Sequence, residues 1–310
     1  MGKGGKGGGG GGGGGVRPDL WYEAEARAKV NLRLRVFRPG ADGFHLLETV
    51  FCRISLADRV RVRIGAGQGV SLTVVGPEFA PSGEDNLAAR AAGLFRALTA
   101  LEAGIEIELE KHVPVGSGLG GGSSDAAAVL RLLNEAIESP LSQAALVGHS
   151  AALGSDVPFF ALDAPTALAW GRGHRLLAGP ALEPRPFLVV LPQETVSTAE
   201  AYELLDRARA SSPKDGSAES FALTWEDLGG WEGLQGLAGN DFEPVIFDRY
   251  PKLASLKEKL EGTNPLICML SGSGSALFAV YGSDSERNAA AETLQGALPG
   301  ARLLNASGPA

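Results

Sequence analysis

Cysteine, histidine, aromatic side chains and positive charge are all scarce in this chain, and each shortage excludes something. The two cysteines, Cys52 and Cys268, lie far apart in apolar runs. That is neither a disulfide framework nor a zinc-ligand spacing, and buried free thiols in a cytoplasmic protein are the expectation. The four histidines form no metal motif, and His112 and His149 read as structural or surface residues. Lys and Arg number 28 against 36 Asp and Glu, a net charge of −8. The basic surface of a nucleic-acid binder is therefore missing. No apolar run reaches the roughly 20 residues of a membrane-spanning helix, so no membrane partner is expected either.

Glycine is abundant instead, at 44 residues. The stretch 1–15 is almost all glycine, with Lys3 and Lys6. It lacks the apolar core of a secretory signal and can bury no surface, so a disordered tail over 1–18 is expected. That tail is either natural or a mis-assigned start. A second concentration carries chemistry: Pro114-Val115-Gly116-Ser117-Gly118-Leu119-Gly120-Gly121-Gly122-Ser123-Ser124-Asp125. Successive glycines let backbone N–H groups converge on one centre without Cβ interference. Before the loop, Ile105 to Glu110 alternates apolar and acidic, which predicts a half-buried strand. After it, Val129, Leu133, Ala136 and Ile137 recur at helical spacing. A helix starting at Ser123 or Ser124, with Asp125 in its first turn, would add free N–H groups and the positive end of its dipole. Phosphate is the ligand suited to such a cradle.

The familiar phosphate loops fit poorly. Gly122 runs directly into Ser123, so the lysine of a Walker A loop is absent. Gly116, Gly118 and Gly121 match G-x-G-x-x-G, but Pro114 and a second helical run near 142–153 do not suit a dinucleotide fold. The V-A-I-K, H-R-D and D-F-G set of the protein kinases is missing.

Two further segments narrow the choice: Gly154-Ser155-Asp156-Val157-Pro158 and Leu270-Ser271-Gly272-Ser273-Gly274-Ser275-Ala276. With the first loop they resemble the three signatures of the GHMP kinase superfamily. Ala26-Arg27-Ala28-Lys29-Val30-Asn31-Leu32 and Asp42-Gly43-Phe44-His45 resemble, within it, the diphosphocytidyl-methylerythritol kinase family. The resemblance extends from about Glu23 to about Asn305. It implies an α+β fold of two domains, ribosomal-S5-like over 19–183 and ferredoxin-like over 184–310. The boundary is read from Pro180, Pro184 and Pro186. It also implies ATP and magnesium as cofactors, a cytidine diphosphate-linked polyol as acceptor, and a cytoplasmic monomer or weak homodimer.

The residues carried over are specific. Pro114 to Ser124 would hold ATP, with Ser123 or Ser124 offering a hydroxyl to magnesium. Asp156 would be the catalytic carboxylate. Lys29 would supply a point charge, and it is the only lysine between Lys6 and Lys111 in an arginine-rich region. Asn31, two residues on, shares its strand face. Phe44 and Tyr202 would sandwich the acceptor's base, with His45 hydrogen-bonding the edge of the base. Tyr202 reads equally well as a helix-face tyrosine packing on the core. Ser271, Gly272, Ser273 and Gly274 would complete substrate binding. Phe44 stands where that family usually has tyrosine, and His174 where it usually has glutamate. Asn240 reads as a helix cap. A smaller acceptor, such as homoserine, mevalonate or a sugar, would not need the aromatic pair. A non-catalytic protein on this fold would be expected to lose Lys29 or Asp156, and this chain has both.

Short strands are predicted at 22–27, 30–37, 46–55, 59–64, 70–75 and 105–111. Helices are predicted at 86–101, 123–138, 142–153, 198–210 and 240–261, with a polar surface loop over 211–220.

Overall fold

The computed structural model describes residues 20–78, 80–180, 182–210, 223, 228–298 and 300–310. The expected tail and the 211–220 loop lie outside them. Among the described residues the fold is α+β, with two sheets and nine α-helices. Two long antiparallel strands, β1 (Tyr22–Pro39) and β2 (His45–Gly65), are the spine of the first sheet. It has seven strands. Strand β4 (Gly104–Glu110) lies beside β2, and β3 (Val70–Val75) beside β4. Strand β5 (Thr166–Gly171) pairs with the start of β2 and carries β6 (Arg175–Ala178). The second sheet is antiparallel throughout, in the order β11 (Arg302–Gly308), β7 (Arg185–Leu191), β10 (Leu277–Val280), β9 (Ile267–Leu270).

Burial gives four layers. Helices α1 (Leu87–Thr99), α2 (Gly121–Ala136) and α4 (Val157–Leu162) cover one face of the first sheet, around Phe95, Ile107, Leu133 and Phe159. The two sheets face each other through Val30, Leu32, Cys52 and Ile54 against Phe187, Val189, Met269 and Phe278. Helices α5 (Thr198–Ala210), α7 (Glu243–Arg249), α8 (Pro251–Glu261) and α9 (Asp284–Gln295) close the second sheet around Val190, Leu205, Ile246, Leu260 and Leu294. A short helix α3 (Gln143–Ser150) lies beside α4. Cys52 and Cys268 are both free, the first buried and the second half-buried. Burial pushes the Cys268 thiol up to about 12.

The strands differ from expectation in an instructive way. The segments 22–27 and 30–37 form one strand with register shifts at Arg27/Lys29 and Asn31/Arg33, and 46–55 and 59–64 likewise merge into β2. Across Arg27/Lys29 two steps along β1 are matched by four along β2, and β1 changes the faces it presents there. Ala26 packs under the helices, whereas Ala28, Val30 and Leu32 pack between the sheets. Lys29 and Asn31 are thereby aimed at the helical side, where the glycine loop lies. The expected helix 240–261 is two helices. Pro251 cannot donate a backbone bond and drives Tyr250 to φ −124, ψ 76, outside the helical region. Helix α6 (Trp231–Leu237) and a two-residue strand β8 (Gly239–Asn240) were not expected. Strand β8 pairs in parallel with β1, so the second half of the chain contributes to the first sheet. No described helix is long and apolar enough to cross a membrane.

Candidate active site

The glycine loop leaves β4 and enters α2. Gly116, Gly118 and Gly120 have φ of +73, +83 and +73, the left-handed region that only glycine enters without strain. Helix α2 starts at Gly121 with Gly120 as its cap, not at Ser123 or Ser124. Three glycines in the turn bring the chain into helical geometry early, so both serines sit inside the first turn. Asp125 correspondingly moves out of that turn and is buried.

The two glycine–serine loops are locked together. Ser271 Oγ donates to Gly118 C=O at 3.0 Å, and the Ala276 N–H donates to Ser117 C=O at 3.1 Å. The Lys29 N–H donates to Leu119 C=O at 2.9 Å, tying the first loop to β1. A Cβ at Gly118 would stand 2.0 Å from Ser271 O. Gly118→Ala therefore combines a backbone clash with a left-handed φ that alone costs about 1–2 kcal/mol. We expect a lower Tm, measured by thermal melting. An unchanged melt would disprove the lock.

A cleft of about 1140 Å³ opens above these loops. Pro114 to Gly118 and Gly120 to Ser123 line it, while Leu119 and Ser124 do not and are buried beneath. Of the second loop, Gly272 and Ser273 reach the cleft; Ser271 is buried in the lock, and Gly274 is not in the wall. Asn240 links the loop to β8: its Nδ2 donates to Leu270 C=O and Gly272 C=O at 2.9 and 2.8 Å, and its Oδ1 accepts the Phe242 N–H.

Lys29 and Asp156 meet in this cleft, Nζ to Oδ2 3.2 Å apart. The lysine side chain is only 4% exposed, whereas the aspartate is 33% exposed. Asp156 sits at the N-cap position of α4 but makes no capping bond, which leaves its carboxylate free for the cleft. A relay fixes the lysine. Lys29 Nζ donates to Asn31 Oδ1 at 2.8 Å, Asn31 Nδ2 to Thr49 Oγ1 at 2.7 Å, and Thr49 Oγ1 to Arg33 C=O at 2.6 Å. Phe51 lies under the ammonium, 5.3 Å from ring centre to Nζ. A long flexible side chain is thus held in one rotamer, a precondition for a positioned point charge.

Phe44, His45 and Tyr202 line the same cleft. Phe44 stands on the β1–β2 turn, 56% exposed. The Tyr202 ring lies 4.8 Å from that of His45 and edge-on to Phe242 at 5.0 Å. It packs on the core and faces the cleft, so the two readings of this residue are not exclusive. Burial raises the Tyr202 pKa, and the negative charge of nearby Asp156 adds to the rise. The edge of His45 is already engaged: Nδ1 lies 2.8 Å from Phe37 O, and Nε2 lies 3.2 Å from Asp206 Oδ2. A base can then meet its ring face or its backbone, or must displace Asp206. The sequence reading missed Asp206, whose spacing of four from Tyr202 on one helix face was the available signal. It also missed Thr198, whose hydroxyl lies 3.1 Å from that of Ser273.

Behind the loop lies a buried charge cluster that was not foreseen. Lys111 Nζ contacts Asp58 Oδ2 closely and Asp125 Oδ2 at 2.8 Å, and all three side chains are buried. Asp58 Oδ1 accepts the N–H groups of His112 and Val113 at 2.6 and 2.8 Å, holding the chain as it turns from β4 into the loop. Asp125 Oδ1 has no partner. Burial drives the Asp125 pKa up to about 8, with Lys111 opposing the rise and Asp58 adding to it. Burial alone would lower the Lys111 pKa, but the two carboxylates outweigh it and the net shift is upward.

Known families and structures match most of the chain. The family model for the GHMP kinases N terminal domain matches residues 86–164, and that for GHMP kinases C terminal matches residues 221–300. A 4-diphosphocytidyl-2-C-methyl-D-erythritol kinase from Geobacter metallireducens is 38% identical over 270 residues, covering 87% of this chain and 92% of that protein. One from Pelotomaculum thermopropionicum is 41% identical over 269 residues, covering 86% and 92%. A crystal structure of 4-(cytidine 5'-diphospho)-2C-methyl-D-erythritol kinase superposes with a TM-score of 0.76 at 34% identity, covering 93% of this chain and 99% of that one. The mevalonate kinase of L. major, at 17% identity and a TM-score of 0.72, shares the fold. The chain belongs to the 4-diphosphocytidyl-2-C-methyl-D-erythritol kinase family of the GHMP kinases.

Proposed function

We propose that the chain transfers the γ-phosphoryl group of ATP to the 2-hydroxyl of 4-diphosphocytidyl-2-C-methyl-D-erythritol. The products are the 2-phosphate and ADP, and the step belongs to the non-mevalonate route to isoprenoid precursors. One observation carries the reading: a single cleft joins the glycine loop, the Lys29–Asp156 pair and the Phe44–His45–Tyr202 group.

Phosphoryl transfer asks the protein mainly for positioning and charge stabilisation. The N–H groups of the glycine loop and of the first turn of α2 hold the ATP phosphates. Lys29 stands beside the acceptor hydroxyl. Asp156 orients that hydroxyl and takes its proton as the oxygen bonds to the γ-phosphorus and the bond to the bridging oxygen of ADP breaks. Phe44 and Tyr202 take the cytosine, and Gly272 and Ser273 bound the middle of the cleft.

Magnesium suits hard oxygen donors and takes only one or two of them from protein beside nucleotide phosphates. The cleft offers that set in the Ser123 hydroxyl and the Asp156 carboxylate. Ser124, buried under the helix, does not. Among the described residues there is no cluster of three His, Cys, Asp or Glu that could hold a metal. The chemistry of magnesium is neutralisation of charge on the phosphates.

The test is ADP release by the purified chain with ATP and magnesium, on addition of the cytidyl substrate, with homoserine and mevalonate alongside. Release with the cytidyl substrate alone is expected. Release only with a smaller alcohol would refute the acceptor site and keep the kinase. Silence with all three, in a folded protein that binds ATP, would favour a sensor. The same reading makes the chain a cytoplasmic monomer or weak homodimer without nucleic-acid or membrane partners.

A further inference from the structure

We propose that Arg172 is the positioning residue of the acceptor's base pocket. It clamps the Phe44 turn and so sets affinity for the nucleoside part of the acceptor, without entering the chemistry at Lys29 and Asp156. This inference rests on the acceptor reading above.

The sheet register brings the two hairpin tips together. Leu47 of β2 pairs with Gly171 of β5, so Arg172, the next residue, stands beside the turn 40–44. Its guanidinium carbon lies over the Phe44 ring, 3.8 Å from the ring centre. The same guanidinium bonds Asp42 Oδ2 at 2.5 Å, and Asp42 Oδ1 accepts the Phe44 N–H at 3.1 Å. Inside the turn, Gly43 N–H donates to Gly40 C=O at 3.0 Å and Gly40 N–H to Phe44 C=O at 2.9 Å. Ring, backbone and ion pair thus converge on one exposed aromatic.

An exposed ring at a hairpin tip must be ordered when a base stacks on it, and that ordering weakens binding. Arg172 removes the cost in advance by covering one ring face and leaving the other to the cleft. At 46% exposed, it is not itself part of a core whose loss would unfold the chain. Only a planar guanidinium can stack and pair at once; an ammonium can pair but not stack. The turn that carries Arg172 has a fixed base, because Gly173, at φ +90, lies against Ser155, where a Cβ would stand 3.3 Å from the carbonyl oxygen.

The experiment is steady-state kinetics of the wild type, Arg172→Ala and Arg172→Lys, varying each substrate in turn, with CDP as a competitive probe. A thermal melt checks that each variant is folded. In Arg172→Ala, the KM of the cytidyl substrate and the Ki of CDP are expected to rise about 3–30-fold. The kcat and the KM for ATP should stay within about twofold, the signature of lost binding rather than lost chemistry. Arg172→Lys should recover only part of the loss. Unchanged KM and Ki in Arg172→Ala would overturn the clamp, as would a parallel loss of kcat and ATP affinity. A wild type silent with the cytidyl substrate would instead refute the acceptor reading, and the clamp with it.

Discussion

Replacing Asp156 by Asn is expected to lower kcat by about 10²–10⁴-fold, the range of a removed general base. The affinity for ATP should change little. The side chains are isosteric, so the cleft keeps its shape and only the charge and the proton-accepting capacity go. Lys29 would lose its ion-pair partner at 3.2 Å but keep Asn31 at 2.8 Å, so the ammonium should stay in place. The glycine loop is held by Ser271, Ala276 and the Lys29 backbone, none of which depends on the carboxylate. Calorimetry with ATP and rates with the cytidyl substrate separate the two quantities. Full turnover in the variant would sink the role assigned to Asp156. A loss shared equally between kcat and ATP binding would make it a residue of the nucleotide site.

The second large effect concerns stability. Lys111→Met should cost about 3–5 kcal/mol, because it leaves Asp58 and Asp125 buried together with no cation. At a few degrees per kcal/mol for a chain of this size, the Tm should fall by roughly 10 °C. Asp125→Asn should behave oppositely. It removes the charge that burial disfavours and keeps an oxygen for Lys111. The pH dependence has a definite sign. The folded carboxyl titrates at about 8, raised by burial, against an ordinary carboxylate value near 3.9 in the unfolded chain. Between those values the folded state binds the extra proton. The contribution of this group is therefore fully present below about pH 4 and lost as pH rises to about 8. Melting curves of wild type and Asp125→Asn across that window should diverge as pH rises, with the variant relatively more stable at the alkaline end. Parallel curves would show that Asp125 is ionised throughout. A Lys111→Met variant melting within a degree or two of the wild type would show that water reaches the cluster.

Local signals were legible because they depend on neighbours in the chain. Glycines at 116, 118 and 120 announce positive φ, alternation at 105–110 announces a strand, and Pro251 should have announced the break that was overlooked between α7 and α8. The family resemblance of Gly154 to Pro158 points to Asp156 and a lone lysine among arginines points to Lys29, and the fold brings the two to 3.2 Å. Distance was not legible. Nothing local shows that Lys111 and Asp125 share a buried site with Asp58, more than fifty residues away from either, or that Asp206 occupies the edge of His45. These pairings need the sheet register and the packing of helices on it.

The sequence by itself determined the family and the left-handed turns of the glycine loop, because each is written in contiguous residues whose motif or backbone freedom decides it. Tertiary structure decided which way Lys29 and Asn31 point. Strict alternation from Ala26 would have put Lys29 and Asn31 between the two sheets. The shift at Arg27/Lys29 turns them toward α2 and α4 instead. Two steps along β1 there are matched by four along β2, so the irregularity is set by the pairing with β2 rather than by the residues of β1 alone.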